Sequence, residues 1–167
     1  DNKLELNTML IRFTVENFLS FNTLVDFNLI ASTEAQQSHH VIRGSTQEHI
    51  DLLRTSILYG ANASGKSNLI KAMDFARNFI VSGLAKNRTI PIKPFILDSQ
   101  CHHKPARFEF ELRCQGKQYA YGFALNNHQV VEEWLFEMGH QLDITVFERV
   151  GSDFEFNFKH PIFAQLP

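Results

Sequence analysis

Cysteine is scarce in this sequence: Cys101 and Cys114 are the only two among 167 residues. Two thiols cannot build a disulfide framework, so a hydrophobic core must hold the fold, and reduced thiols in a cytoplasmic protein are the plain reading. Charge of one sign is equally short. The formal net charge is -2, so no global basic field recruits nucleic acid; DNA as a partner has no support from charge, although a local patch is compatible with the total. Long apolar runs are missing too. None approaches the roughly 18 residues of a membrane span, so no membrane role is expected. Residues 1–8 are polar and lack a signal-peptide core. We read them as an appended remnant or disordered extension ahead of Met9 and give them no role.

What is abundant is phenylalanine. There are 16, several in F-x-F alternations that favour strand. Residues 9–16 and 23–30 alternate and should form a hairpin through a turn at 17–22. Residues 31–50 are polar and aperiodic, a surface loop or short helix. Residues 55–59 (T-S-I-L-Y) have the character of a buried strand leading into glycine. From Lys66 the period changes. Leu69, Ile70, Met73, Ala76, Phe79, Ile80 and Leu84 recur at threes and fours, with Asn68, Lys71, Asp74, Arg77 and Asn78 opposite, which predicts an amphipathic helix ending near Gly83. The second half reads as a meander of five strands: 107–113, 118–125, 129–137, 143–150 and 153–158. Turns at Gln115-Gly116, Asn126-Asn127 and Gly151-Ser152 divide it.

Gly60-Ala61-Asn62-Ala63-Ser64-Gly65-Lys66-Ser67 matches G-x-x-x-x-G-K-[ST]. The glycines let successive N–H groups turn inward at a phosphate, and the following helix adds its N-terminal N–H groups and dipole. Lys66 then reaches the β and γ phosphates, and the Ser67 hydroxyl becomes a magnesium ligand. The four fixed positions should coincide by chance on the order of once in a hundred chains this long. We therefore expect a P-loop that binds a purine nucleotide. No guanine-reading Asn-Lys-x-Asp motif occurs, so the expected ligand is ATP with Mg2+.

The run G-A-N-A-S-G-K-S-N, with Asn62 at its third position and Asn68 after the serine, resembles the Walker A segment of the ABC and chromosome-maintenance ATPase superclass. Residues 11–21 (I-R-F-T-V-E-N-F-L-S-F) are similar to the opening strand and N-F-x-S-F turn of RecF-like heads. L-Y-G-A-N-A-S-G-K-S-N-L-I-K-A-M at 58–73, P-F-I-L-D at 94–98 and E-E-W-L-F at 132–136 resemble bacterial AAA-annotated ATPases. These are relatives of the overcoming-lysogenization-defect and abortive-infection proteins of phage defence. The resemblance implies an α/β P-loop NTPase first lobe with an antiparallel β-subdomain, a P-loop core at 9–90 and a meander at 91–158. It implies ATP-driven homodimerisation of the heads and control of an effector or nuclease domain or partner. The signature motif and Walker B carboxylates of that superclass lie far downstream, and neither occurs here. On that resemblance 9–167 is the N-terminal part of a longer ATPase, weak in hydrolysis by itself. A non-hydrolysing nucleotide-sensing module and a DNA-repair head are the alternatives.

Weaker signals are weighed beside this one. Cys101-His102-His103 with Cys114 matches no usual zinc spacing and reads better as an exposed loop. His39-His40 read as a solvated loop. Glu132 and Glu133 are adjacent on a strand, so they face opposite ways and cannot aim at one substrate. Phe18, Phe21 and Arg12 are candidates for contacting adenine or ribose, with core packing at least as good a reading for the phenylalanines. Asp98 and Gln100 are candidates for a Q-loop.

Overall fold

The computed structural model describes residues 8–32, 38–44, 50–83 and 89–165. The alternating phenylalanine segments pair into one seven-stranded antiparallel sheet. Its strands are β1 (Met9–Glu16), β2 (Val25–Asn28), β5 (Ala106–Cys114), β6 (Lys117–Leu125), β7 (Val130–Glu137), β8 (Ile144–Val150) and β9 (Asp153–Phe156), in the order β2-β1-β5-β6-β7-β8-β9. All five meander strands form, and the expected turn at Gln115-Gly116 has both residues at positive φ (52° and 78°), the conformation that suits a twisted two-residue hairpin. The first hairpin does not stand apart, because β1 pairs along its whole length with β5.

Period-two alternation sends Phe13, Val15, Phe108, Phe110 and Phe123 to one face of the sheet. The single long helix, α1 (Lys66–Ser82), lies on that face and buries Leu69, Ala72 and Ala76. Its partly buried Phe75 and Phe79 rings meet Phe108 and Phe123 at 5.3 and 4.9 Å, within the range where aromatic pairs attract beyond their buried area. The predicted apolar stripe is therefore rotated. Ala72, Phe75 and Ala76 face the sheet, whereas Ile70 and Ile80 are exposed. Leu84 lies outside the described residues.

Two expectations are corrected. Residues 31–50 do not form only a loop: after a 3₁₀ turn at Ser38–His40, β3 (Val41–Ile42) pairs with β4 (Leu52–Leu53) as a small second sheet. Leu53 and Ala31 bond across to Leu29 and Asp51, hooking this sheet to the end of β2. Much of the 31–50 stretch, 33–37 and 45–49, lies outside the described residues. The buried strand expected at Thr55–Tyr59 is not a strand. Those residues belong to no ladder, and Ile57 and Tyr59 are 81% and 91% exposed. A strand exists only through hydrogen bonds to a neighbour, and the pairing of β4 with β3 and its bridge to Ile30 stop at Leu53.

On the opposite sheet face Trp134 lies flat across Gly122, its indole N–H donating to Glu109 at 2.7 Å and the Arg107 guanidinium 4.0 Å above its ring. A Cβ at Gly122 would come within 2.2 Å of the indole. Gly122→Ala should therefore destabilise the chain by about 2 kcal/mol or more through overpacking, read as a lower urea midpoint. Trp134→Ala in the same background should recover part of that loss.

At the far edge, burial pushes the Glu137 carboxyl up, but Lys117 at 2.8 Å and His160 at 2.9 Å outweigh it and hold it below its usual range. A carboxylate lowered on folding contributes stability that is complete above its unfolded value and is lost as pH falls through the folded one. Acidification below about pH 4, the ordinary glutamate range, should loosen the 157–163 segment, and Glu137→Gln should flatten that acid limb in a denaturation series.

Candidate phosphate-binding loop

The loop takes its shape from its smallest residues. Between Gly60 and α1 the chain turns through Ala63 at φ 63° and Gly65 at φ 94°. The second value suits glycine alone. At Ala63 the left-handed conformation costs about 1–2 kcal/mol, a strain typical of ligand-binding turns. No side chain caps α1 at Gly65. The N–H groups of Asn68 and Leu69 fold back on the Gly65 carbonyl at 2.9 and 3.0 Å. Those of Lys66 and Ser67 have no backbone acceptor among the described residues, so the helix presents open donors at its positive end.

Lys66 braces the loop from inside. Its ammonium donates to the carbonyls of Gly60 and Ala61, both at 2.7 Å, and to Ser64 Oγ at 3.3 Å. Three donors are thereby used on neutral acceptors. An anion entering the loop would offer the same ammonium an opposite charge as well as an acceptor. Ser67 is exposed at the helix start, as are Asn62 and Ser64 in the loop. Asn68 is half-buried and donates through Nδ2 to Ser20 Oγ at 3.0 Å. Gly60, Ala61, Asn62, Ala63, Ser64, Gly65, Lys66, Ser67 and Asn68 thus occupy one continuous turn and helix start.

The contact to Ser20 exposes what the sequence did not reveal. The turn after β1 carries two non-glycine residues at positive φ, Asn17 (50°) and Leu19 (53°). Asn17 is 2% exposed. Its amide donates to the carbonyls of Cys101 and Lys104, both at 2.8 Å, and its oxygen accepts from Phe95 N–H at 3.1 Å. Leu19 N–H donates to the Lys93 carbonyl at 2.8 Å, and the Phe18 ring wedges between Phe75 of α1 and Phe108 of β5. Only the asparagine of N-F-x-S-F, a residue type that tolerates the left-handed region, could have pointed there.

The remaining candidates are not brought to the loop. Arg12 lies on the sheet face away from α1, 3.5 Å from Glu111. Phe18 is core, and Phe21 packs against it. Asp98 caps a 3₁₀ turn by accepting from the Gln100 N–H at 2.9 Å. Glu133 bonds Tyr121 and Arg149, while Glu132 faces Arg107 on the other side of the sheet. Cys101 is buried with its thiol on Asn22, Cys114 accepts from Thr8, and His39, His40, His102 and His103 are exposed. Among the described residues no three His, Cys, Asp or Glu side chains converge as a metal site.

The family model described as "AAA domain, putative AbiEii toxin, Type IV TA system" matches residues 56–166, which include the loop, α1 and the meander. The chain belongs to this AAA-domain family. Membership supports a P-loop ATPase-like domain and nucleotide binding in general terms. No curated protein and no solved structure matches the chain. The AAA-domain match begins only at residue 56, so β1 and the Asn17 turn lie upstream of it. The antiparallel sheet order is not that of a typical P-loop fold, whose strands run parallel between helices. Among the described residues no helix is long and apolar enough to cross a membrane.

Asn17→Ala should cost about 3 kcal/mol, since it removes the bonds to the Cys101 and Lys104 carbonyls and the Phe95 N–H and leaves at φ 50° a residue without asparagine's tolerance of that region. Asn17→Gly should recover only the backbone part, about 1 kcal/mol. Equilibrium urea unfolding of the two variants separates the contributions.

Proposed function

We propose that the Gly60–Ser67 loop binds the phosphates of ATP as a Walker A element. The observation that carries this reading is the Lys66 ammonium, already inside a turn whose helix-start N–H groups are open. On binding, Lys66 leaves the Gly60 and Ala61 carbonyls for phosphate oxygens. The N–H groups of Lys66 and Ser67 add donors at the helix's positive end. Ser67 is the one residue of the loop suited to hold Mg2+, which when bound neutralises phosphate charge. Ser64, freed from Lys66, can turn its hydroxyl to the same anion.

The loop's side-chain partners among the described residues are Ser64, Asn68, Ser20 and backbone carbonyls, and no carboxylate is among them. Without a carboxylate to complete a metal shell or orient water, this chain by itself binds ATP but turns it over poorly. In the reading the resemblance supports, ATP drives head dimerisation and controls an effector in phage defence, in keeping with the toxin–antitoxin description of the family. A non-hydrolysing nucleotide sensor is the second reading, favoured by the same absence of a carboxylate at the loop.

Calorimetric titration should show ATP binding that strengthens with Mg2+ and that Lys66→Ala weakens at least about tenfold, the loss of one charge-assisted contact at 1.4 kcal/mol per decade. Steady ATP turnover by the 167-residue chain that Lys66→Ala abolishes would contradict the poor-hydrolysis reading.

A further inference from the structure

The N-F-L-S-F turn is strained, tied down on several sides and in contact with the start of α1. We infer that Ser20 is a phosphate-contacting residue, donating its hydroxyl hydrogen to the nucleotide from outside the loop. This rests on the Gly60–Ser67 reading above.

Three observations carry it. First, Ser20 Oγ lies 3.3 Å from the position a Cβ would take on Gly65, so it sits on the rim of the turn beside the residue that starts α1. Second, that oxygen accepts from Asn68 Nδ2 at 3.0 Å, which fixes the hydroxyl's lone pairs toward the helix. Its hydrogen has no protein acceptor among the described residues, and Ser20 is exposed. A hydroxyl that accepts on one side and donates on the other is the arrangement that relays a protein donor onto an anion.

The third is the cost of putting it there. Phe18 and Phe21 exchange backbone bonds at 3.1 and 2.9 Å, closing Leu19 and Ser20 into a two-residue tip. Leu19 bears a branched side chain at φ 53°, and such strain persists only where the surroundings impose it. Here they do: Asn17 is tied to Phe95, Cys101 and Lys104, Leu19 to Lys93, and Phe18 is clamped between helix and sheet. These ties fix the turn's base and flank, and the polar side chain they deliver at its tip, against Asn68, is Ser20.

The test titrates the full chain with Mg-ATP and with inorganic tripolyphosphate, comparing wild type with Ser20→Ala, Ser20→Thr, Asn68→Ala, Ser20→Ala/Asn68→Ala and Lys66→Ala. Ser20→Ala should weaken both ligands about tenfold, the usual scale for one hydrogen bond to a charged acceptor. Ser20→Thr, which keeps the hydroxyl, should stay within about threefold of wild type, and the ligand-free melting temperature should not move by more than about 2 °C, because an exposed tip contributes little to stability. Ser20→Ala should also weaken binding in the Asn68→Ala background. If that second loss vanishes, Ser20 acts only by holding Asn68 and the assignment is wrong. A loss seen with ATP but not tripolyphosphate overturns it as well, since the contact would be to the nucleoside. If Lys66→Ala abolishes binding while Ser20→Ala leaves it unchanged, this inference alone fails. If wild type does not bind, or Lys66→Ala binds equally well, the phosphate-loop reading falls and carries this one with it.

Discussion

The packing of α1 on the phenylalanines of the central strands is the contact on which the rest of the molecule depends. A 17-residue helix by itself is only marginally stable in water, and its start must be fixed to within a fraction of an ångström if its N–H groups are to converge on one anion. Ala72 and Ala76 are fully buried in the core cluster, and Phe75 and Phe79 pack against Phe108 and Phe123. The loop between Gly60 and Ser67 has no packing of its own and is exposed through most of its length. Its position is inherited from the helix behind it and from the turn that touches it.

That turn explains why β1 belongs to the same sheet as the meander. Pairing β1 with β5 brings the end of β1 beside the 93–105 segment, and the Asn17 amide closes the gap with bonds spanning 78 to 88 positions in sequence. One buried amide thereby bonds the Cys101, Lys104 and Pro105 carbonyls and the Phe95 N–H at once. The same turn sends Phe18 under the helix and Ser20 over its start. Sheet, helix and loop are cross-linked at one point.

How far the sequence disclosed this depends on the range of the interaction. Strands governed by alternation were legible almost to the residue, because Arg107 through Phe156 repeat a period of two between recognisable turns. The helix was legible for the same reason, down to its end at Gly83. Its orientation was not, since Ile70 and Ile80 outrank Ala72 in hydrophobicity, whereas the buried face is set by the Phe75 and Phe79 rings meeting Phe108 and Phe123. The 55–59 segment looked like a strand because its composition favours one, yet composition cannot supply a ladder partner, and none pairs with it. The phosphate-loop motif was plain, being contiguous. The contacts of Ser20 and Asn17 were hidden because their partners lie about 50 to 88 positions away.

In the phosphate-binding reading proposed above, the Lys66 brace sets much of what binding costs. An unbraced glycine-bearing turn would lose backbone freedom on binding, at roughly 1–2 kcal/mol per residue fixed. Here the ammonium already ties Gly60, Ala61 and Ser64 together, and Ser20 with Asn68 holds the other rim. Much of that ordering is therefore complete before an anion arrives, and what binding must offset is the exchange of Lys66 from neutral carbonyls to charged oxygens. In that reading the exchange replaces ion–dipole bonds by bonds in which both partners are charged. The internal brace thus makes the loop a preorganised receptor with an occupied centre, and it ties affinity to how readily the Gly60 and Ala61 carbonyls find other donors when Lys66 departs.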